Sequence, residues 1–373
     1  MKKTIVCVVG TRPEAIKMAP VILALQNDPN FDVKVLATGQ HAEMLDSVLE
    51  FFNITPDINL HIMKNTQGLE YITSSVLTMT SDYLKKVKPD AVLVHGDTTT
   101  TFAAALAAFY LKIPVGHVEA GLRSFTLSQP FPEELNRVLV DKFATWAFAP
   151  TEKSKENLLG ENFPASNIVV TGNTVIDALL CAVEKVEKPN IVAFSRLPQD
   201  APFVLLTAHR RESWGQPLEN ICQAVAFLLK EYPNLYFLVP MHKNPIVREV
   251  FYKHFSNEKR VILCEPLDYP DFVWTMKNSF FIMSDSGGVQ EEVTAIKKPL
   301  LILRSVTERP EAIESGTGIL TGTDEEKITA NSCKLLNNKT YYDSVVANCE
   351  SMPFGDGTAS KKIIKVLTES LCN

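Results

Sequence analysis

The sequence has no Cys-x-x-Cys pair and no cysteine–histidine spacing of the zinc-binding kind. Its seven cysteines (Cys7, Cys181, Cys222, Cys264, Cys333, Cys349 and Cys372) are scattered and odd in number. A disulfide framework is thereby excluded, and the cysteines read as small apolar residues of a reducing, cytoplasmic compartment. No run approaches the roughly 18 apolar residues that a membrane span needs. The opening MKKTIVCVVGTRPE has an apolar stretch of only about seven residues and no small-residue cleavage site, so it reads as a first β-strand rather than a secretory leader. Positive charge is not in excess either. The formal net charge is −6, which favours neither nucleic acid nor an anionic membrane. G-x-G-x-x-G, a Walker loop, fixed-period repeats and low-complexity segments are all missing.

What is present is a regular alternation. With 373 residues the chain is long enough for two domains. Short β-branched runs predict strands at Thr4–Val9, Val33–Ala37, Ala91–Val94, Val115–Val118, Ala147–Ala149 and Ile168–Thr171. In the second half they predict strands at Phe203–Thr207, Tyr236–Val239, Arg260–Leu263, Phe280–Met283 and Leu300–Leu303. Helical patterns fit between them at Glu14–Gln26, Ala42–Phe52, Leu69–Val87, Thr99–Leu111, Pro132–Phe143, Pro217–Tyr232, Pro245–His254, Val289–Ile296, Glu325–Leu336 and Ala359–Glu369. Such alternation implies parallel sheets with right-handed crossovers. The expected class is α/β, with two Rossmann-like domains facing a central cleft. The stretch Pro189–Pro202, poor in strong signals, and the amphipathic segment Val175–Val186 before it mark the junction. Residues 1–175 form the expected first domain, completed by a C-terminal helix within 357–373, and residues 176–356 the second.

Polar clusters close several of the strands. In an open parallel sheet, ligands bind outside the carboxyl ends of the strands. VHGDTTTT and GHVEAGLR put Asp97 and Glu119 at two such ends, where an unpaired acid would be costly to bury. The simpler reading of each is a loop carboxylate capping a helix. Glu133, in PFPEELNR, is a third candidate acid, or one that merely complements a helix dipole. GTRPE turns into a helix and brings Arg12 and Lys17 near its N-terminus, an arrangement that attracts anions unless both cations are simply solvated. SDSGGVQEE opens a helix after an apolar strand. Ser286, Gly287 and Gly288 allow close backbone approach to a diphosphate, and Glu292 reaches toward ribose hydroxyls, against the alternative of an ordinary tight turn. His209 and Arg210 in TAHRRE, and Arg309 in TERPE, suit phosphate or leaving-group stabilisation. His242 in MHKNP is a weaker candidate of the same type. The acids thus fall in the first half and the basic groups in the second. Carboxylates in desolvated sites can abstract and return protons.

In order, the motifs GTRPEAIKMAP, TGQH, VHGDTTTT, GHVEAGLR, PFPEELNR, TGNTVIDAL, HRRES, HKNP, SDSGGVQEE, TERPE and FGDG resemble the bacterial non-hydrolysing UDP-N-acetylglucosamine 2-epimerases along nearly the whole chain. The resemblance implies a GT-B architecture and a reversible conversion of UDP-GlcNAc to UDP-ManNAc without metal or nicotinamide. UDP would be eliminated to leave 2-acetamidoglucal and then add back. It implies Asp97, Glu119 and Glu133 as acid/base carboxylates and His209 as the group assisting departure of UDP. Arg12, Lys17, Ser286, Gly287, Glu292 and Arg309 become UDP or sugar-phosphate contacts, with Phe272 near the uracil. It also implies a homodimer, a product feeding surface polysaccharides, and, in some members, an allosteric second UDP-GlcNAc. The matching allosteric positions are Gln40, Glu43, Thr66, Glu133, Arg210 and His242. Glu43 stands where Gln is usual and Thr66 where Arg is usual in some members, which removes a phosphate partner.

Three other readings compete. A UDP-sugar transferase of GT-B type would share the SGG turn, but retaining members often carry an E-x7-E pattern near it, absent between Ser284 and Gly316. A hydrolysing epimerase would release free sugar, and the RPEAIK segment argues against it. A non-catalytic nucleotide-sugar sensor predicts loss of at least one of the three carboxylates, and none is lost.

Overall fold

The computed structural model describes residues 1–39, 42–63, 68–307 and 309–372, with the side chains of residues 42–44 outside that description. The chain divides into two compact units, Met1–Ala178 with Phe354–Asn373, and Leu179–Pro353. Each is a parallel sheet with crossover helices.

In the first unit seven strands run in the order Ile58–Asn59, Phe31–Ala37, Lys3–Val9, Ala91–His95, Val115–Val118, Trp146–Ala149, Ile168–Val170. In the second, six strands run Val261–Cys264, Tyr236–Pro240, Phe203–Thr207, Phe281–Ser284, Leu300–Ile302, Gly318–Leu320. Both orders reverse direction next to their first strand, as in a doubly wound Rossmann sheet. The reversal lies between Lys3–Val9 and Ala91–His95 in one sheet, and between Phe203–Thr207 and Phe281–Ser284 in the other.

The strands are apolar because both faces of a parallel sheet are covered. Every residue of Ala91–His95 is buried. Helix Thr99–Tyr110 lays Ala103, Ala104, Ala107 and Ala108, all fully buried, over this sheet. Alanine lets it lie close to helix Leu69–Val87, which contributes Ile72, Val76 and Leu84. In the second unit, helices Gln216–Glu231 and Glu325–Asn337 cover Val204, Leu206 and Phe237 with Leu218, Ile221, Val225, Ile328 and Leu335.

Strand and helix positions agree with the sequence pattern to within a few residues. Two strands escaped it: Ile58–Asn59 and Gly318–Leu320 are too short to show any period. So did helices Glu152–Gly160, Tyr269–Asn278 and Lys339–Asn348. Their faces are mixed, and their start signals (Thr151, Asp268 with Pro270, Asn338) are ones that turns also use. The short helix Val192–Ser195 lies within the stretch taken as a junction and buries Phe194.

The C-terminal segment rejoins the first unit through specific polar contacts. The Asn173 amide donates to Phe354 O at 2.7 Å. Gly172 and Gly355 pass so closely that a Cβ on Gly172 would lie 3.0 Å from Gly355 Cα, and both glycines have positive φ. Buried Asp177 accepts from the amides of Ala359 and Ser360 and from the Ser360 hydroxyl, at 3.2, 2.9 and 2.6 Å. It thereby caps helix Ala359–Leu371 from a distance in sequence. Among the described residues no helix is long and apolar enough to cross a membrane.

Asp177→Ala removes that cap and should cost about 1–2 kcal/mol. Hydrogen exchange should accelerate first across residues 359–371. Unchanged protection there would show that helix docking, not the cap, holds the segment.

Candidate functional site

At the switch point of the first sheet three polar strand ends converge. Strand Lys3–Val9 leads into Gly10 and helix Arg12–Gln26. Pro13 sits in the first turn of this helix, and Glu14 reaches back to the Thr11 amide, the carboxylate half of a capping box. Glu14 is buried. One carboxylate oxygen accepts from the amides of Gly10 and Thr11, at 2.8 and 2.6 Å, and the other from the hydroxyls of Thr98 and Thr101. The GTRPE turn is therefore fastened to the start of helix Thr99–Tyr110, directly after Asp97. A Cβ on Gly10 would collide with Thr100 and Thr38, both under 3.0 Å away.

Asp97 follows Gly96, which needs its positive φ of 70° to turn the chain out of the strand. It does not cap the helix; Thr98 does, accepting from the Thr101 amide. Helix Glu133–Phe143 holds Asp97 twice. Asn136 Nδ2 donates to its main-chain oxygen at 2.9 Å, and Arg137 pairs with its carboxylate. Arg137 also faces buried Glu134 at 3.3 Å. Glu134 in turn accepts from the amides of Ser124 and Phe125. Glu133 is half-buried in the first turn of this helix, and its carboxylate has no partner among the described residues.

Glu119 lies one strand over, with its side chain 9% exposed and its backbone at φ 69°. One oxygen, Oε2, receives both the Lys17 ammonium and Asn173 Nδ2, the latter at 2.7 Å. His95 Nε2 stands 3.8 Å from the same oxygen. Burial alone would raise the carboxyl's pKa, but the Lys17 ammonium with its hydrogen bond and the nearby His95 ring outweigh it. They hold Glu119 well below the usual carboxylate range. Lys17 is thus engaged by Glu119 and is not simply a solvated cation.

Behind these ends lies a buried polar chain. His117 bridges Gly96 O, at 2.8 Å from Nε2, and Asp141, which faces Nδ1. Asp141 also takes Arg123 at 2.7 Å and the Gly121 amide, and Arg123 pairs on with Glu161. Burial pushes Asp141 up, while His117 and Arg123 more than reverse this, so it too lies low.

In the second unit, buried Asp285 organises the switch point. Its Oδ2 accepts from the amides of His209 and Arg210 and from Ser213 Oγ, at 2.8, 2.8 and 3.0 Å. Its Oδ1 lies 3.1 Å from His209 Nδ1, leaving the other face of that imidazole directed outward. The His209 side chain is 36% exposed. Burial raises the Asp285 carboxyl, and the His209 imidazole together with the amides of Arg210 and His209 more than offsets it, so the group is lowered. The His209 and His242 rings stack at 5.7 Å with 19° between their planes. Burial, then the charges of His209 and Arg248, lowers the His242 pKa. Ser286 precedes helix Gly287–Ala295; its amide donates to Ser284 Oγ at 3.0 Å. A Cβ on Gly288 would meet open space, and one on Gly287 only Arg210 at 4.0 Å. The helix start thus presents an uncovered N-terminus, the geometry that takes a phosphate.

Arg309 pairs through Nε with buried Glu291, the neighbour of Glu292, itself 7% exposed. Thr307 Oγ1 donates to Gln290 and accepts from the Arg309 amide, so the loop carrying Arg309 is tied to helix Gly287–Ala295. Phe272 is half-buried in the first turn of Tyr269–Asn278. Arg12 is half-buried and Arg210 exposed. Gln40 and Thr66, and the side chain of Glu43, fall outside the described residues.

Sequence reasoning passed over Glu14, His95, Arg123, Glu134, Asn136, Arg137, Asp141, Asn173, Asp285 and Glu291. Most lie inside the motifs it quoted. The signal available was an acid or histidine in an otherwise apolar context, yet which of these turn inward is decided by register.

These features define a class: an α/β protein of GT-B type, with two Rossmann-like sheets, each carrying its polar groups at the switch point. A family model described as UDP-N-acetylglucosamine 2-epimerase matches residues 23–368. The UDP-N-acetylglucosamine 2-epimerase of Bacillus subtilis is 49% identical over 368 residues, covering 98% of this chain and 96% of that one. The crystal structure of UDP-GlcNAc 2-epimerase from Neisseria meningitidis, bound to UDP-GlcNAc, is 48% identical and superposes with a TM-score of 0.89 over 98% of this chain and 100% of that one. The Methanocaldococcus jannaschii UDP-GlcNAc 2-epimerase in complex with UDP-GlcNAc and UDP is 36% identical, with a TM-score of 0.78 over 98% and 99% of the two chains. The chain belongs to the UDP-N-acetylglucosamine 2-epimerase family.

Asp141→Asn should cost about 3–5 kcal/mol, because it takes from buried His117 its carboxylate partner and from Arg123 one of its two, Glu161 being the other. Asp141 and Glu119 both have folded values below the unfolded ones. Their stabilisation is therefore complete above about pH 4 and lost as pH falls through the folded values. Urea midpoints should hold level between about pH 7 and 5 and then drop, with a shallower drop in Asp141→Asn. Equal drops would remove Asp141 from the account.

Proposed function

We propose that the protein interconverts UDP-GlcNAc and UDP-ManNAc by the non-hydrolysing route. A carboxylate of the first unit takes the C2 proton. The C1–O bond breaks with its electron pair going to UDP, and a C1=C2 double bond forms, giving 2-acetamidoglucal. UDP then adds back to C1 while C2 is protonated on the other face. The observation that carries this reading is the pair Asp97 and Glu119 at adjacent strand ends. Each is held by a cation, within a chain that matches its family along its length.

Glu119 is the group best kept as an anion, the form a base needs, since Lys17 and Asn173 hold it there. Glu133 is the third acid/base candidate, its carboxylate without a partner among the described residues. His209, oriented by Asp285 in the manner of a carboxylate–histidine pair, assists departure of UDP. Ser286, Gly287 and Gly288 supply amides to the diphosphate. Arg12, Arg309, Glu292 and Phe272 complete the UDP and sugar-phosphate contacts, Arg309 with its fork set by Glu291. The route needs neither metal nor nicotinamide, because carboxylates and imidazole move every proton. A homodimer, a cytoplasmic location and the supply of surface-polysaccharide precursors complete the reading, with Arg210 and His242 in a second, regulatory UDP-GlcNAc site.

Incubation with UDP-GlcNAc in heavy water, followed by proton NMR, should yield UDP-ManNAc and deuterium at C2 of both epimers. Free ManNAc with UDP would replace this reading by hydrolysis. Asp97→Asn and Glu119→Gln should each lower turnover by about 10²–10⁴-fold and leave UDP affinity by calorimetry within a few-fold. Near-normal turnover in both would sink the acid/base assignment.

A further inference from the structure

His95 is an imidazole with an unusual environment. It ends strand Ala91–His95 and is 4% exposed. Among the described residues neither ring nitrogen has a hydrogen-bond partner. Buried polar groups are nearly always satisfied, and one that is not asks for a reason. Its main chain is fixed, because Thr101 Oγ1 donates to His95 O at 2.6 Å while also reaching Glu14. The ring itself is buried, and what it faces is Glu119 Oε2 at 3.8 Å. That is about 1 Å beyond an ordinary N–H···O contact.

The two oxygens of Glu119 are unlike. Oε2 already accepts from Lys17, on helix Arg12–Gln26, and from Asn173, just before helix Thr174–Val183. Oε1 accepts from no described residue. Gly96, beside it, has no side chain to cover it; a Cβ there would lie 3.8 Å from Oε1. Three groups from three elements therefore crowd one oxygen and leave its twin open.

We propose that His95 is a positioning residue for Glu119: with Lys17 and Asn173 it fixes the charge and orientation of Oε2, so that Oε1 is the oxygen left to exchange a proton with the ligand. The inference rests on the acid/base reading of Glu119. A filler of this volume would need no nitrogen facing the carboxylate. A cation-capable ring at this distance acts on the carboxyl in the same sense as Lys17, and the direction of the Glu119 shift carries a His95 contribution.

The test reads Glu119 directly. In protein labelled with glutamate carrying carboxyl carbon-13, the Glu119 signal is the one missing from Glu119→Gln. In His95→Phe its titration midpoint should rise by about one pH unit. In His95→Gln, which keeps a donor and the approximate volume, it should rise by less. UDP affinity should stay within twofold in both variants. The acid limb of kcat/KM for UDP-GlcNAc should rise alongside the midpoint, whereas a filler would lower kcat equally at every pH. An unmoved Glu119 midpoint in both variants overturns the proposal, whatever the substrate. A midpoint that moves in a wild-type protein unable to turn over UDP-GlcNAc leaves the His95–Glu119 coupling standing and overturns the assigned reaction instead.

Discussion

A carboxylate withdrawn from water must be given donors by the fold, and this constraint shapes both units. Glu14, Glu119, Asp141, Asp285 and Glu291 are each at most 9% exposed in side chain or residue. Removing such a charge from water costs several kcal/mol even after relaxation. Each is therefore ringed by amides, hydroxyls or cations drawn from distant parts of the chain. Glu14 takes two amides and two hydroxyls and no cation. Asp285 takes two amides, a hydroxyl and an imidazole. Glu119 and Asp141 lean on basic side chains. Because the donors sit on separate strands and helices, satisfying the acids fixes how those elements meet.

Parallel strand order gives this constraint its location. Where the sheet reverses direction, neighbouring crossovers leave on opposite sides and a crevice opens at the carboxyl ends. Gly10, Gly96 and Glu119 in one sheet, and His209 and Asp285 in the other, stand at or beside those positions. Helix Gly287–Ala295 points its N-terminus outward there, with two glycines in place of side chains. An anion and a set of proton-transfer groups have different needs, amide donors for the first and desolvated acids for the second. On the proposed reading the two needs are met in two units that share a topology but not a chemistry.

How much of this the sequence disclosed follows from what each pattern encodes. Strand runs such as Val115–Val118 and Phe203–Thr207 were legible to the residue, because a strand buried on both faces is almost wholly apolar, His117 and Thr207 apart. Ile58–Asn59 was not, being two residues on a sheet edge. Asp97 and Glu119 were legible as acids ending apolar runs. That Lys17 spends its charge on Glu119 was not, since 102 residues separate them. Arg137 was hidden for a similar reason, one turn along a helix whose acids drew attention first. Its neighbour Glu134 is the buried acid of PFPEELNR, while Glu133 remains accessible. One residue along a helix turns a side chain by about 100°, and composition cannot tell which of two adjacent glutamates faces inward.

Around Glu119 several local rules are broken together. Its backbone is left-handed at φ 69°, a conformation that costs a non-glycine residue roughly 1–3 kcal/mol. Its amide and that of Ala120 both donate to Phe148 O, at 3.1 Å each, so the neighbouring strand enforces the bend. Its carboxylate is buried, and beside it stands an imidazole whose ring nitrogens have no hydrogen-bond partner among the described residues. An extended residue here would continue the strand and carry the side chain to the sheet face, away from Lys17 and Asn173. A neutral side chain would remove the desolvation cost and leave Lys17 without its anion. Stability alone does not call for a strained backbone and a buried acid together; on the proposed reading the strain aims the carboxylate, the donors hold it as an anion, and the open oxygen is the one that exchanges the proton.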